Sequence, residues 1–524
     1  MDRPAPVSDA LAENPDSDRL TRYAHYTQEA WVDSILDLYF ASPNKHLLVL
    51  AGDAGTGKTH ALCMLNERFR ELNLRPPLFT ATTKNAAGVL KCGSTTYHSA
   101  LGINNQALLQ ASTVQEFMTL YRAKYRDFYA LFDQCVAKSA SLASLLEPSG
   151  NGVHQCQALN VRCHRCSRTL HKALSKCGFV PPVAYTPVMV IDEYGMLDRL
   201  SLEKILAVLD SVSLPGQGHL IIMCGSITQL PPARVSNNNY VCQSPDWAGL
   251  FLHCQYLRVN HRQKADPAYG LSMGLFQFNV VTPQAVSLLN SRVLPELTRV
   301  YDPSFMPHAL RIFNDNSSRD SYNSAAASLC ANKKFSLPNR LECGSGDIKR
   351  FTAELTDRFR LVFSATSNDR VFYLGSRVWL IKCSQIKASD PTRGTVTKFS
   401  KDTLYVTCDN GTAFELSKEI YTSSLYTKCV AHFYPVALAH AINTYSAQGE
   451  SLSCDVIYVP PLKAYFRSEL TASAYVACTR VCRRSKLFLA ANSFASAPGQ
   501  AQFFKPEVLK FKKQWEMGYQ PTCL

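Results

Sequence analysis

No stretch of this 524-residue sequence approaches the roughly 18 consecutive apolar residues that span a bilayer, so no membrane-crossing helix is expected. The opening segment, MDRPAPVSDALAENPDSDRL, lacks the apolar core of a secretory signal. Its polar, Pro- and Asp-bearing composition reads as a disordered tail over residues 1–20. The closing PTCL is no prenylation box, because Cys523 is the penultimate residue. A second CxxC pair is missing as well. The 19 cysteines are scattered along a long chain and read as reduced thiols rather than a disulfide framework. That implies a nuclear or cytoplasmic protein, not a secreted one. Acidic residues are the scarcer charge, 41 against 55 Lys and Arg, giving a formal net charge of +14 and a pI of about 9.0. This balance favours a polyanionic partner such as nucleic acid. With 46% hydrophobic and 18% charged residues, the composition is that of a globular protein, long enough for several domains.

What is present begins with KHLLVLAGDAGTGKTHALCML, which reads as buried strand, loop and helix. Gly52, Gly55 and Gly57 allow the turns that aim successive backbone N–H groups inward, and the following helix adds positive potential. Asp53, Ala54, Thr56 and His60 complete the loop and first turn. Lys58 would reach the β- and γ-phosphates, and the Thr59 hydroxyl would bind Mg²⁺. A Gly-rich turn before a helix does not by itself explain this whole arrangement, so a nucleotide site is expected.

A second apolar run, PVMVIDEYGMLD, ends in Asp192 and Glu193. At the C-terminal end of a parallel strand, Asp192 would hold the Mg²⁺ shell, and Glu193 would orient or deprotonate an attacking water. A third run, HLIIMCGSITQLPP, leads to Ser226 and Gln229, with Gln229 placed to bond a γ-phosphate or the water. Standing alone, that glutamine would read as a surface residue before a Pro-rich turn.

The order of these segments resembles the RecD-like and Dda-like branch of superfamily 1 helicases, grouped as superfamily 1B, from about residue 20 to 495. YTQEA is similar to the upstream glutamine motif, in which Gln28 would read the adenine edge. TATTKNAA and STTYHSALGI resemble motif Ia and the DNA-contacting segment after it. IDEYGMLD and GSITQLPP resemble motifs II and III. LRVNHRQ is similar to motif IV, with Arg262 as an arginine finger. INTYSAQGESL and AYVACTRV are similar to motifs V and VI, with Gln448 and Gly449 at the nucleotide and Arg480 as the second finger.

The resemblance implies an α/β fold of two RecA-like parallel-sheet domains in tandem. The first would span 21–252 with a helical insertion at about 105–182. The second would span 253–500, and residues 501–524 would form a basic tail or helix. Within the second, the alternating β-branched and aromatic residues of LGSRVWLIKCSQIKASDPTRGTVTKFSKDTLYVTCDNGTAFELSKEIYT, with Asp409-Asn410-Gly411 as a hairpin turn, look like the family's small β-barrel, at about 373–427. Thr82, Lys84, Thr96 and His98, with Thr444, Ser446 and Tyr475 from the second domain, would contact the strand. The implied activity is ATP hydrolysis with Mg²⁺, coupled to 5′→3′ movement on single-stranded and fork DNA. That activity would serve replication, recombination or repair. The alternatives are a superfamily 1 RNA helicase and an ATP-regulated nucleic-acid-binding scaffold without turnover.

Three positions depart from the common pattern: Gly195 stands where Ser is usual, Ser226 where Asp is usual, and Tyr445 where many relatives have His. The first two are similar to the helicase subunit of the herpesvirus helicase–primase complex. They suggest a viral replication helicase whose partners would include a primase and other replication proteins.

The stretch HQCQALNVRCHRCSRTLHKALSKC lies inside the insertion. Cys163 and Cys166 have zinc-ligand spacing, with His154, Cys156, His171 and Cys177 as further donors. Leu159, Leu170 and Leu174 fit helix packing, which is the expectation here. Arg162, Arg165, Arg168 and Lys172 read as a solvated basic face. FKPEVLKFKKQW near the end fits either helix packing or a partner contact.

Overall fold

The computed structural model describes residues 27–490 except 42–45, 91, 104, 140–155, 157, 233–239, 246–250, 277–281, 331–332, 345–346, 360–361, 364–369, 382, 387–392, 401, 424–425, 427 and 461–466. The expected tail at 1–20, the C-terminal segment 501–524 and His154 lie outside the described residues. The chain divides into two units, the first ending at His261 and the second starting at Arg262.

Six strands form the sheet of the first unit: β1 (His46–Gly52), β2 (Leu78–Ala81), β3 (Thr95–Thr96), β4 (Val188–Asp192), β5 (Leu220–Gly225) and β6 (Phe251–Leu257). Their spatial order is β3-β2-β4-β5-β1-β6, and every pairing is parallel. Strands buried on both faces need near-continuous apolar sequence, as β1, β4 and β5 have. Alternate residues point to opposite faces. Leu47, Val49, Met189, Ile191, Ile221 and Met223 enter one core, and Leu48, Leu50, Val188, Val190, Leu220 and Ile222 enter the other.

Helices α1 (Gln28–Ala41) and α2 (Lys58–Glu71) cover the second face through Trp31, Ile35, Leu62 and Phe69. α3 (Lys84–Val89) follows β2, capped by the Thr83 hydroxyl, which accepts from the Ala86 N–H. The expected insertion is helical and covers the first face. It contains α4 (Val114–Lys124), α5 (Arg126–Ala137) and α6 (His164–Leu174), whose Phe117, Tyr121, Phe128, Phe132, Leu170 and Leu174 join the sheet's core. α7 (Arg199–Ser211) ties it down: the buried Lys204 ammonium donates to the Leu108 and Leu109 carbonyls at 3.2 and 3.4 Å. A cation against helix C-terminal carbonyls is favourable, while its burial pushes the Lys204 pKa down.

The first unit runs to His261, past the expected end at 252. The reason is β6: it pairs in parallel with β1 and carries the chain to His261, whose N–H donates to the Gly55 carbonyl at 2.9 Å.

The second unit has its own parallel sheet, in the order Ala441–Asn443, Leu310–Phe313, Val456–Val459, Leu487–Leu489. An antiparallel sheet lies between these strands in sequence. Its order is Ala413–Leu416, Thr403–Cys408, Arg393–Ser400, Arg377–Leu380, Val436–Leu438, around Val378, Val396, Leu404, Val406 and Val436. The expected Asp409-Asn410-Gly411 turn connects two of them, with Gly411 at φ 88° and the Arg377 guanidinium 2.6 Å from Asp409. Antiparallel pairing extends past the expected 373–427, since Val430–Phe433 pairs with both Glu419–Thr422 and Arg340–Glu342. Among the described residues this five-stranded sheet keeps two edges, Ala413–Leu416 and Val436–Leu438.

The expectation that all thiols are reduced meets one exception. Cys343 and Cys429 form a disulfide, with Cα atoms 4.2 Å apart.

Candidate functional site

The phosphate-loop sequence sits where a parallel α/β sheet places ligands, at the carboxyl end of β1 where the strand order switches direction between β5 and β6. Gly57 adopts φ +83°, a left-handed conformation that favours glycine. A Cβ there would lie 2.3 Å from Gln28 Nε2, the movable end of that side chain, so the backbone angle is what calls for glycine. α2 starts directly after it, and no side chain caps its first N–H groups. Those groups and the helix dipole are the anion-binding element.

Lys58 folds back over the loop, its Nζ donating to the carbonyls of Gly52 at 2.8 Å and Asp53 at 2.9 Å. Thr56 donates to Asp53 O at 2.9 Å, Ala54 is buried, Thr59 is half-buried at the helix start, and His60 is exposed. Gln28, expected to read adenine, lies against the same loop, its Nε2 3.5 Å from Gly57 O.

Asp192 ends β4 and Glu193 follows it in a left-handed conformation, φ 57°. Strand β5 lies between β4 and the loop strand β1. The Glu193 N–H donates to Asp192 Oδ1 at 2.9 Å. Burial, followed by the neighbouring Glu193 charge, raises the Asp192 pKa to about 7, while the Glu193 N–H and the Lys58 ammonium pull it down. A buried carboxylate facing a lysine and a second carboxylate is one that a divalent cation would stabilise, which fits the Mg²⁺ role expected of Asp192.

Gln229 is 4% exposed, and its Oε1 meets no hydrogen-bond partner among the described residues. A buried unsatisfied amide oxygen costs about 1–3 kcal/mol, so the site is shaped for a donor that arrives with the ligand or its water. The two departures from the usual motifs touch each other. A Cβ on Gly195 would stand 2.5 Å from the Ser226 carbonyl oxygen, so the motif II turn and the motif III loop approach closely because residue 195 is glycine. The Ser226 and Thr228 hydroxyls are 3.0 Å apart and brace that loop from within.

The expected strand-contacting residues of this unit lie at the same end of the sheet. Thr82 follows β2, its N–H donating to Asp192 O at 3.2 Å and its hydroxyl to Glu193 O at 3.3 Å. A nucleic-acid contact at Thr82 would therefore act one hydrogen bond from the backbone of Glu193, the expected catalytic residue. Lys84 opens α3. Thr96 caps the turn Tyr97–Ala100, accepting from Ser99 N at 3.3 Å. His98 stacks on Tyr97 at 3.8 Å, and burial lowers its pKa to about 4, so it is neutral at physiological pH.

In the second unit, Arg262 and Arg480 share one corner. Arg262 Nη1 donates to Thr479 O at 3.0 Å, and Gln263 Nε2 donates to Val481 O at 2.9 Å. Arg480 is 1% exposed and donates from Nε to Val476 O at 2.8 Å and from Nη1 to Glu450 O at 3.4 Å. Motifs V and VI thus meet there, with Gln448 buried and Gly449 at φ 85°. Thr444 is buried against Phe313 O and Asn314 Oδ1, at 3.2 and 2.9 Å. Ser446 is half-buried, and its N–H donates to Asn443 Oδ1 at 2.7 Å. Tyr475 is 1% exposed and presents no ring face on which a base would stack.

Three participants were not singled out in the sequence. The Tyr256 hydroxyl donates to Asp53 Oδ1, the Cys224 thiol bonds Asp192, and the chain at His261 bonds Gly55. Each depends on which strands are neighbours. The one available signal was the apolar run ending at Leu257.

Residues 38–237 match the AAA domain family. No curated protein matches the sequence. Among solved structures, the Pif1 helicase from Candida albicans is 17% identical, with a TM-score of 0.59 over 93% of this chain and 97% of that one. Bacteroides Pif1 bound to single-stranded DNA is 16% identical, with a TM-score of 0.58 over 94% and 97%. Residues 38–237 are thus similar to the AAA domain family, and the chain shares the α/β fold of these Pif1 structures.

Proposed function

We propose that this chain is an ATP-driven DNA helicase that moves 5′→3′ on single-stranded DNA and opens forks. The observation that carries the reading is the first unit's site. Lys58, Asp192, Glu193 and the unpartnered buried Oε1 of Gln229 surround one end of a parallel sheet, and Thr82 links Glu193 to the expected strand path. The reading is supported by the shared fold with Pif1 helicases, among them structures with single-stranded DNA, with forked DNA and with ADP-AlF4.

In this reading the N–H groups of residues 53–59 and the Lys58 ammonium hold the triphosphate. Thr59 and Asp192 would hold Mg²⁺, which when bound neutralises phosphate charge and restores Asp192 to its ionised form. Glu193 accepts a proton from the attacking water, and Gln229 orients that water. Arg262 and Arg480 supply the cations for charge on the γ-phosphate, and such a finger contributes roughly 10³–10⁵ in rate. Asp192 also sets a pH dependence: hydrolysis rises with pH through about 7 at limiting Mg²⁺, and saturating Mg²⁺ moves the midpoint down.

We further propose a role in replication alongside a primase, from the Gly195 and Ser226 pair, and residence in a nucleus or cytoplasm. The test is steady-state ATP hydrolysis with no nucleic acid, with single-stranded DNA and with single-stranded RNA, with Lys58→Ala as the blank. Stimulation by DNA that the substitution abolishes is the expected result. Preference for RNA would replace the DNA reading, and rates no higher than the blank would leave a scaffold.

A further inference from the structure

We propose that Cys156, Cys163 and Cys166 form a structural zinc site that fastens the helical insertion to the first unit. Leucine packing explains how α6 docks, but not why three thiols converge. Their sulfur atoms all lie within 4.8 Å of one another, although Cys156 is ten residues from Cys166 and separated from α6 by a turn. Thiolates about 2.3 Å from a zinc ion in a tetrahedron stand about 3.8 Å apart, so a small contraction of this cluster completes three of the four positions.

The scaffold around the sulfurs is rigid. Cys163 N donates to Asn160 O at 2.9 Å, closing a turn, and the Asn160 amide faces the Cys166 sulfur. Gln217 grips the turn from α7's side of the sheet, accepting from Val161 N at 3.0 Å and donating to Leu159 O at 2.7 Å. Arg162 and Tyr39 clamp it to α1: Arg162 Nη1 donates to Tyr39 O at 2.6 Å, and the Tyr39 hydroxyl to Arg162 O at 2.7 Å. Ligands held this way give up little freedom on binding a metal.

Charge favours the same reading. Cys163 is the N-cap of α6 and Cys166 its third residue, where the helix dipole favours anionic sulfur. A divalent ion on three thiolates leaves a net charge of −1. Arg165 and Arg168 lie close to it in sequence. Zinc fits, since it binds thiolates in a tetrahedron and needs no redox chemistry, its fourth position going to a donor outside the trio.

The test is the metal content of the full chain, purified anaerobically under reducing conditions and then refilled with Co²⁺. We expect about one zinc per chain, and cobalt absorption with thiolate charge-transfer and tetrahedral ligand-field bands. Cys163→Ser/Cys166→Ser should lose both, whereas Cys135→Ser, in the same core outside the cluster, should keep them. Less than about a tenth of an equivalent of zinc in the unmodified chain would overturn the proposal, as would a disulfide within the trio. Metal retained by the double variant would move the site elsewhere. If that variant fails to fold, the cobalt spectrum of the unmodified chain decides, because absence of thiolate bands refutes the site by itself.

Discussion

Gln229 is the residue whose situation says most about the site. Its buried Oε1 has no partner among the described residues, a cost that is recovered when a donor enters. Gln229→Ala should keep nucleotide binding and lower kcat by about 10²-fold, the loss typical of one oriented transition-state contact. Steady-state kinetics with a fluorescent-nucleotide binding assay separates the two. Gly195 makes a different prediction. Serine, usual at that motif position, would bring Cβ to 2.5 Å from Ser226 O, so Gly195→Ser should cost about 1–3 kcal/mol and slow hydrolysis by displacing the motif III loop. Chemical denaturation and ATPase assays check both. His440 is a third case. Burial, then the Arg377 and Arg311 charges, lower its pKa to about 4, and its Nε2 accepts from Arg377 N at 3.1 Å. A folded-state pKa below the unfolded value of about 6.5 means the unfolded chain binds the extra proton. Stability is therefore full above pH 6.5 and falls as pH drops toward 4, and His440→Gln should flatten that slope in melts across the interval.

At the level of elements, legibility followed the physical origin of each feature. The strands β1, β4 and β5 could be read because a doubly buried parallel strand leaves a run of apolar residues, and the hairpin at Asp409-Asn410-Gly411 because its turn needs special backbone angles. The reach of β6 could not be read. Strand adjacency is a long-range choice, and it carried the first unit to His261 and placed Tyr256 on Asp53. The same applies to the cysteines. Spacing showed Cys163 and Cys166, but only the turn at Asn160 brought Cys156 to them. Burial was equally hidden, so Thr444 and Tyr475, which motif positions offered to the strand, sit in the interior. The insertion illustrates how elements depend on one another. Tyr121 on α4 donates to Leu101 O at 2.5 Å from the middle of the first core, so Tyr121→Phe should lose about 1–3 kcal/mol through that orphaned carbonyl. Equilibrium unfolding in urea would show it.

At the scale of the whole molecule, the chemistry divides between the two units. The first holds the phosphate loop, the carboxylates, Gln229 and the Thr82 link, and the second holds Arg262, Arg480 and the motif V and VI corner. The basic balance of the chain, +14 overall, predicts that nucleic-acid binding weakens as salt rises. The central claim is that hydrolysis drives strand separation with a direction. Its most direct measurement is ATP-dependent displacement of a labelled strand from duplexes carrying a 5′ tail, a 3′ tail or no tail. Displacement is expected from the 5′-tailed duplex alone, abolished by Lys58→Ala. Displacement from no substrate despite DNA-stimulated hydrolysis, or from the 3′-tailed duplex instead, would contradict it.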